Sequence, residues 1–299
     1  MSAIAEQYRP AGPTGPGSST RAPAGRRKLS PLTLATYLAG LLLVGVTVVP
    51  LLFVFLDGAK SNAQINSSAT GLPHPWVWHN YARLLSSAAF WQPLANSAEV
   101  AVLVTALVLV LGSMAAFALS RYSFRGREGL FLVFAIGLLW PLNAAALPLY
   151  LLLDKLGLVD SLFGLVLCEA AFALPLTVVI LRPFMREIPG ELEDAAVVDG
   201  ASRLQFFLRV LLPLSRPALA TVAVLAFINS WNQYLLPLLL FTSTDHYTLP
   251  LAVANFQTQF AQDTASILAF TALSMVPALA CFIFAQRHLV GGFTGAVKG

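Results

Sequence analysis

"ELEDAAVVDGASRLQFFLRVLLPLSRP", residues 191–217, holds seven charged side chains in a chain that is 57% hydrophobic and only 11% charged. The mean hydropathy of +0.74 over 299 residues is far above that of soluble domains, which need a polar surface. The composition therefore predicts a membrane protein in which this charged stretch lies outside the bilayer.

Long apolar runs lie on both sides of this stretch, and each can cross about 30 Å of hydrocarbon at about 1.5 Å per residue. They are too long for barrel strands, so the predicted fold is an all-α polytopic membrane protein with six transmembrane helices. The predicted spans are residues 32–56, 95–120, 129–153, 161–181, 217–242 and 264–286. The fourth run is interrupted only by Glu169.

Basic residues are distributed unequally between the segments that connect the spans. Fifteen Lys and Arg side chains lie in the N-terminal tail, in the segments after the second and fourth spans, and after the sixth span, against three in the alternate segments. This positive-inside pattern predicts that both termini are cytoplasmic. It also accounts for the net charge of +4, from which no nucleic-acid partner is inferred.

Residues 1–30 are rich in Pro, Gly, Ser and Ala and show no apolar periodicity. This composition predicts a disordered cytoplasmic tail, followed by the membrane domain at residues 31–299. A basic, acid-poor transit peptide is the alternative interpretation, but the prolines oppose the amphipathic helix that such a peptide needs.

Motifs for catalysis or nucleotide binding are absent from the sequence. It contains no H-E-x-x-H, no G-x-S-x-G and no glycine loop that would hold phosphates, so neither a membrane hydrolase nor an ATP site is predicted. Cys168 and Cys281 both fall inside predicted spans, where we expect buried thiols without a disulfide or metal. No catalytic residue, metal site or cofactor is predicted.

The charged stretch itself is predicted to form two short helices joined by a sharp turn. Pro189 begins the first helix, acidic side chains lie near its positive end, and Gly200 is expected in the left-handed conformation just beyond Asp199. Ser202 and Gln205 then form a capping box for the second helix. An apolar stripe with helical spacing follows, at Leu204, Phe207, Leu208 and Leu211. Pro213 and Pro217 lead into the fifth span.

Residues 193–217 resemble the EAA loop of binding-protein-dependent ABC importer permeases. The pattern is E-A-A, three residues, G, about nine residues, an apolar residue, one spacer and L-P. Asp194, Ala195 and Ala196 stand at the E-A-A places and Gly200 at the glycine. Val210 is the apolar residue, and Leu212 and Pro213 are the closing pair. The C-terminal "QRHLVGGFTGAVKG", residues 286–299, resembles the end of the second permease subunit of maltose-type carbohydrate importers. "SRYSFRGRE" (120–128), "LPLYLLLDKLGLVDS" (147–161) and "NSWNQYLLPLLL" (229–240) fit the same subfamily.

The resemblance implies a six-span permease of the bacterial cell membrane that hydrolyses nothing itself. Residues 182–216 would form a coupling loop whose helix docks on an ATPase subunit. The residues that would make this contact are Glu193, Asp194, Ala195, Ala196, Asp199, Gly200 and Ala201. Asp194 replaces the usual glutamate of the pattern, so either Asp194 or Glu193 would meet a basic group of the ATPase.

The resemblance also implies partners. These would be a second homologous permease, two ATPase subunits and an extracytoplasmic solute-binding protein that touches loops 58–93 and 245–263. The transported solute would be a sugar, and the spans would be surrounded by membrane lipid. A permease for a non-sugar solute is the main alternative. A self-contained secondary transporter is disfavoured because no internal repeat or paired intramembrane charge is detectable.

Polar side chains inside the predicted spans mark a candidate solute pathway. Glu169 lies near mid-bilayer, where an ionisable group is costly, and it is expected either to bind solute hydroxyls or to pair at a subunit interface. Asn229, Asn232 and Gln233, at i, i+3 and i+4, are expected on one helical face, either for solute or for interhelical hydrogen bonds.

Four prolines are also expected to interrupt the spans, either as bends around a gated pathway or as ordinary kinks. They are Pro141, Pro175, Pro237 and Pro277.

Overall fold

The computed structural model describes residues 31–68, 70–259 and 263–296. The predicted tail at 1–30 and the last three residues of the chain lie outside this part, and so do the side chains of 284–296. The chain divides into two units, residues 1–48 and 49–299. The described part of the first unit, 31–48, belongs to the first helix, and all other features described below belong to the second unit.

Four helices of the described residues are long and apolar enough to cross a membrane. They are α1 (Pro31–Gly58), α4 (Ala88–Arg121), α7 (Leu162–Glu187) and α14 (Thr264–Ala296). They contain the predicted first, second and sixth spans, and the fourth except for Ser161, which is the N-cap of α7. Helix α7 continues to Glu187, so residues 182–187, predicted as the start of the coupling loop, belong to this helix.

The predicted third span is not one continuous helix. It consists of α5 (Arg127–Gly137) and α6 (Leu142–Lys155), whose axes meet at 102°. Pro141 stands at the N-cap of α6, where its ring and missing N–H prevent α5 from continuing. The expected interruption at Pro141 is therefore confirmed.

A second bent pair leads into the fifth span. The helix at Arg203–Leu214, which comprises α9 (Arg203–Phe206), a π-helical turn (Phe207–Leu211) and α10 (Leu212–Leu214), meets α11 (Arg216–Trp231) at 78°. If each bent pair counts as one span, the described chain has up to six apolar spans, as predicted.

The predicted fifth span, 217–242, is also interrupted, because α11 ends at Trp231 and α12 (Leu235–Leu240) follows. The amide side chains of Asn232 and Gln233 stabilise this break. The Asn232 Nδ2 donates to the Ile228 carbonyl at 2.8 Å, and the Gln233 Oε1 accepts from two backbone N–H groups at the start of α12 at 3.1 and 3.2 Å. Side chains that bond to nearby backbone compete with helix formation, and Pro237 provides no donor to bridge the gap.

The expectation of three amides on one helical face is therefore wrong, because Asn232 and Gln233 lie beyond the end of α11. Pro175 and Pro277 do not break their spans, so expected breaks there are wrong, while the alternative of ordinary kinks stays a prediction. Both lie inside the continuous helices α7 and α14. Transmembrane helices tolerate proline where neighbouring groups satisfy the freed carbonyl.

Short helices cover the predicted extracytoplasmic ends. They are α2 (Asn62–Ser67), α3 (His79–Leu85), a 3₁₀ turn (Thr244–His246) and α13 (Leu249–Gln259). Asp263, just before α14, accepts from the Asn62 Nδ2 at 3.1 Å and pairs with Arg83 at 3.2 Å. These contacts tie α2 and α3 to the start of α14.

The core of the second unit lies between α4, α7 and α11. Val104 and Val108 of α4 are buried there with Leu165 and Leu181 of α7. Gly112 lets the two helices approach so closely that a Cβ at this position would overlap the Thr177 side chain. Within a bilayer such close packing of small residues, rather than exclusion of water, holds helices together.

Candidate functional site

The loop between α7 and α11 folds as a compact projection that begins with α8 (Glu191–Val198). Gly200 has φ +78°, the left-handed conformation expected for it. Its N–H donates to the Val197 carbonyl at 3.0 Å, and the Ala201 N–H donates to the Ala196 carbonyl at 2.9 Å. These two bonds form a Schellman motif, which ends α8 and turns the chain back.

The capping box predicted for the second helix is confirmed. The Ser202 Oγ accepts from the Gln205 N–H at 3.3 Å, and the Gln205 Oε1 accepts from the Ser202 N–H at 2.8 Å.

The predicted apolar stripe is only partly right. Phe207 and Leu211 are buried, but Leu204 and Leu208 are 61% and 52% exposed, and Phe206 is buried in their place. The π-helical turn, with its i→i+5 bonds, brings Phe206 and Leu211 onto one buried face.

The predicted coupling residues differ in how far they are exposed to solvent. Ala196 packs against the core, and Glu193 is half-buried. Asp194 and Ala195 are exposed on α8, Asp199 caps it, and Gly200 and Ala201 form the turn.

Helix α8 also carries exposed apolar side chains that were not singled out in the sequence. Val197 and Val198 are 62% and 87% exposed, and Leu192 is 41% exposed. Three exposed apolar side chains beside an acidic group on one short helix suit a protein partner. The sequence signal was a helix with acids in its first turn and valines in its last.

Two arginines, one on α4 and one on α7, each donate hydrogen bonds to the opposite helix at the base of this projection. The Arg121 guanidinium at the end of α4 donates to the Met185 and Ile188 carbonyls, at 2.9 and 2.7 Å, at the end of α7. In return, the Arg182 Nε of α7 donates to the Leu119 carbonyl of α4 at 3.2 Å. Arg121 thus satisfies two carbonyls and Arg182 one at the C-terminal end of the other helix, where a positive charge is favoured.

The second half of the projection also rests on α4. The guanidinium of Arg203, the first residue of α9, lies over the ring of Tyr122, 4.7 Å from its centre. Because Tyr122 follows Arg121 directly, the end of α4 contacts the chain both before α8 and after it. From the sequence alone, these arginines had no structural role.

A cavity of about 290 Å³ lies between α4, α5, α7, α11 and α12. Glu169, Asn229 and Gln233, three of the predicted pathway residues, line it. Its other lining side chains are mainly apolar and include Phe172 and Leu176. Asn232 instead lines a separate cavity of about 360 Å³ beside Trp231.

Glu169 is 6% exposed, and its two carboxyl oxygens have different surroundings. Oε2 accepts a hydrogen bond from the Ser230 hydroxyl, across from α7 to α11. Oε1 is buried and has no hydrogen-bond partner. Ser230 was not singled out in the sequence, although its place next to Asn229 puts it on the same part of α11.

A carboxylate at the predicted extracytoplasmic end holds two loops together. Asp160, before α7, accepts from the Thr242 and Ser243 N–H groups at 3.1 Å each and lies 3.2 Å from the His246 Nδ1. Burial of Asp160 opposes its ionisation, but the hydrogen bonds from Ser243, His246 and Thr242 lower the pKa of the carboxyl below its ordinary value.

Comparison with known proteins identifies the family. A family model described as the inner membrane component of binding-protein-dependent transport systems matches residues 108–294. The chain belongs to this family. The matched part of the permease contains both the coupling loop and Glu169, and the resemblance found in the sequence is confirmed.

Relatives match the permease over most of their length. A trehalose transport system permease protein of Mycobacterium tuberculosis is 37% identical over 270 residues, which cover 89% of this chain and 98% of the relative. A diacetylchitobiose uptake system permease protein of Streptomyces coelicolor is 36% identical over 248 residues, which cover 82% of each chain.

A solved structure has the same fold. A chain of a bacterial ABC transporter involved in the import of the acidic polysaccharide alginate superposes with a TM-score of 0.72 at 25% identity, over 86% of this chain and 98% of that chain. The permease is thus an inner membrane component of a transport system that depends on a binding protein, and its family is not one of enzymes.

Proposed function

We propose that the permease is one of two transmembrane subunits of an ATP-driven sugar importer. Its partners are a second homologous permease, two ATPase subunits and an extracytoplasmic solute-binding protein, and both of its termini lie in the cytoplasm. Relatives named for the uptake of trehalose, diacetylchitobiose and arabino-oligosaccharides support a sugar as the solute.

The observation that carries this proposal is that one helix, α7, joins the two candidate sites. Glu169 lines the cavity about two turns from the start of α7, and the same helix ends at Glu187, directly before the projection that carries α8. Eighteen residues separate these points, or about 27 Å of helix. A displacement of α8 is therefore passed to the cavity along one continuous helix, which contains Pro175 and Pro183.

Coupling to ATP begins at α8 in this proposal. Its exposed apolar side chains, Val197 and Val198, enter a cleft of the ATPase, and Asp194 or Glu193 pairs with a basic group there. Arg121 keeps the base of α8 attached to α4 and α7 when the ATPase subunits close. The movement then alternates the pathway between its inward-open and outward-open states.

The cavity forms this subunit's share of the pathway. Glu169, Asn229 and Gln233 hydrogen-bond the hydroxyl groups of the sugar, and Phe172 offers an aromatic ring to its apolar faces. Asn232 lies in the other cavity and ends α11, so we assign it no contact with the sugar. The short helices α2, α3 and α13 belong to the loops proposed to meet the binding protein.

Reconstitution tests the proposal. The two permeases and the two ATPase subunits are incorporated into proteoliposomes, and the binding protein is added. Uptake of labelled trehalose, diacetylchitobiose and an arabino-oligosaccharide is then measured. We expect uptake of at least one sugar that needs ATP and all components. Uptake by the permease without ATPase subunits would contradict the proposal, and ATP-dependent uptake of only a non-sugar solute would replace the sugar with that solute.

A further inference from the structure

Arg182 is a buried cation near the end of α7 that leads into the projection. It is 5% exposed and lies within two turns of Glu187, where the helix ends. A charged side chain inside an apolar span is costly unless it is paired, so the partners of Arg182 indicate its role. Its Nε donates to the Leu119 carbonyl of α4, and the rest of the guanidinium contacts a third helix, α5.

The partners of Arg182 on α5 are an acid and an aromatic ring. Its Nη2 donates to the Glu128 Oε1 at 2.5 Å, and its guanidinium carbon lies 4.0 Å from the centre of the Phe131 ring. Glu128 is 62% exposed, and exposed ion pairs contribute little to stability. Arg182 is buried, however, and Glu128 is the acid that pairs with it among the described residues. Separation of α5 from α7 would therefore leave a buried cation without a counter-charge.

Helix α5 lies at the edge of the core and is held against α7 near both of its ends. None of its residues, Arg127–Gly137, is buried. Arg182 binds its first turn through Glu128. At the other end Gly137 lies against Pro175 of α7, where an added Cβ would come within 3.0 Å of the proline ring. The position of α5 thus depends on α7.

The end of α5 also forms part of the cavity wall. Leu138, its C-cap residue, lines the cavity together with Thr177 and Ile180 of α7. Just beyond this residue the chain bends by 102° into α6. A movement of α5 relative to α7 therefore changes the shape of the cavity, whereas a movement of both helices together carries this part of the wall along.

We propose that Arg182 is a positioning residue, which links α5 to the end of α7 so that this wall of the cavity follows the projection when the ATPase subunits close. The inference rests on the proposed function and adds a route from α8 to the cavity through α5. Without the link, α7 would move and α5 would not follow it. ATP would then be hydrolysed without a complete change of the pathway.

The ratio of sugar uptake to ATP hydrolysis tests this role. Both rates are measured in proteoliposomes that contain all subunits, with the binding protein added. The sugar is whichever of labelled trehalose, diacetylchitobiose and an arabino-oligosaccharide the wild type takes up. A side chain that only stabilises the fold changes both rates with the amount of assembled transporter and leaves the ratio unchanged. A side chain that makes α5 follow α7 affects uptake more than hydrolysis.

Glu128→Ala is the main variant, because it removes an exposed acid and leaves the Arg182 bond to α4 in place. We expect the ratio to fall by about threefold or more, as loss of an ion pair with one exposed partner would produce. Hydrolysis should stay within about twofold of wild type, a range typical of exposed substitutions. Glu128→Arg, which brings a like charge to Arg182, should lower the ratio further.

Arg127→Ala is the matched control. The Arg127 side chain also pairs with Glu128, at 3.1 Å, but its other hydrogen bond goes to the Tyr122 carbonyl and not to α7. This variant should keep the wild-type ratio. A double variant then checks that Glu128 acts through Arg182. Glu128→Ala combined with Arg182→Ala should lower the ratio no more than Arg182→Ala alone, because both substitutions remove the same contact.

Three results would overturn the proposal. One is a wild-type ratio in both Glu128→Ala and Glu128→Arg, and another is an equal fall of uptake and hydrolysis in these variants. The third is a ratio in the double variant well below that of Arg182→Ala, since Glu128 would then act on its own. Absence of ATP-dependent sugar uptake by the wild type would instead overturn the proposed function.

Discussion

Gly200 shows how one residue sets the direction of the coupling projection. Its φ of +78° lies in the left-handed region, and a Cβ built on it would meet no atom within 4 Å. Any penalty for a side chain at this position is therefore conformational and not steric. Because the Schellman bonds that end α8 depend on this φ, the penalty falls on the orientation of α8 relative to α9.

Gly200→Val should cost about 1–2 kcal/mol locally and misalign α8, while the spans remain folded. We expect normal abundance in the membrane but reduced co-purification of the ATPase subunits. Gly190→Val is the matched control, because Gly190 has a right-handed φ of −66° and equally open surroundings. Equal loss of the ATPase in both variants would show that the left-handed conformation is not what matters.

At the scale of elements, two sets of contacts hold α4 and α7 together. One is the close packing of the two helices, here called the seam, and the other is the pair of arginines that bond across it. Gly112 permits the close approach of the two helices at Thr177. Arg121 and Arg182 each bond to carbonyls at the end of the opposite helix. The Gly112–Thr177 contact and the arginine hydrogen bonds involve different residues, so each can be tested alone.

Arg121→Ala should loosen the connection between α7 and α8, since it removes two charge-assisted hydrogen bonds worth about 1.5–3 kcal/mol each. We expect faster proteolysis between residues 186 and 203 and a lower melting temperature in detergent. Arg125→Ala, which removes an exposed arginine four residues further on, should change neither. Identical protease patterns in the two variants would argue against the proposed role of Arg121.

Gly112→Leu should force α4 and α7 apart, at a cost of about 1–3 kcal/mol from overpacking. The comparison is Gly129→Leu on α5, where a Cβ would meet nothing within 4 Å. Thermal unfolding of both purified variants measures the difference. A melting temperature for Gly112→Leu as high as that of Gly129→Leu would mean that the seam adapts without strain.

At the scale of the whole molecule, the distribution of basic residues predicts which side of the membrane each loop faces. Ser67 and Ser123 are both exposed, one after α1 and one after α4. In a variant without Cys168 and Cys281, Ser67→Cys should react with a membrane-impermeant maleimide in intact cells, after the outer layers are removed. Ser123→Cys should react only after lysis. The reverse pattern would invert the predicted topology.

Some features whose hydrogen-bond partners are near in the sequence were predictable, and features whose partners are distant were not. Gly200 and the Ser202–Gln205 capping box act on their immediate neighbours, so their positions in the sequence sufficed. Asn232 and Gln233 were misplaced because periodicity does not reveal that an amide will bond to the backbone and end the helix. Ser230 and Arg121 needed the fold, since their partners lie about sixty residues away in the chain.

The central claim is that α8 couples ATP hydrolysis to the pathway, and binding-protein-stimulated ATP hydrolysis in proteoliposomes tests it most directly. The decisive variant is the double substitution Glu193→Ala with Asp194→Ala, compared with Glu191→Ala on the same helix. We predict that the double variant loses stimulated hydrolysis by about tenfold, as loss of one charge-assisted contact would produce, whereas Glu191→Ala keeps it. Wild-type stimulation and full co-purification of the ATPase in the double variant would contradict the account.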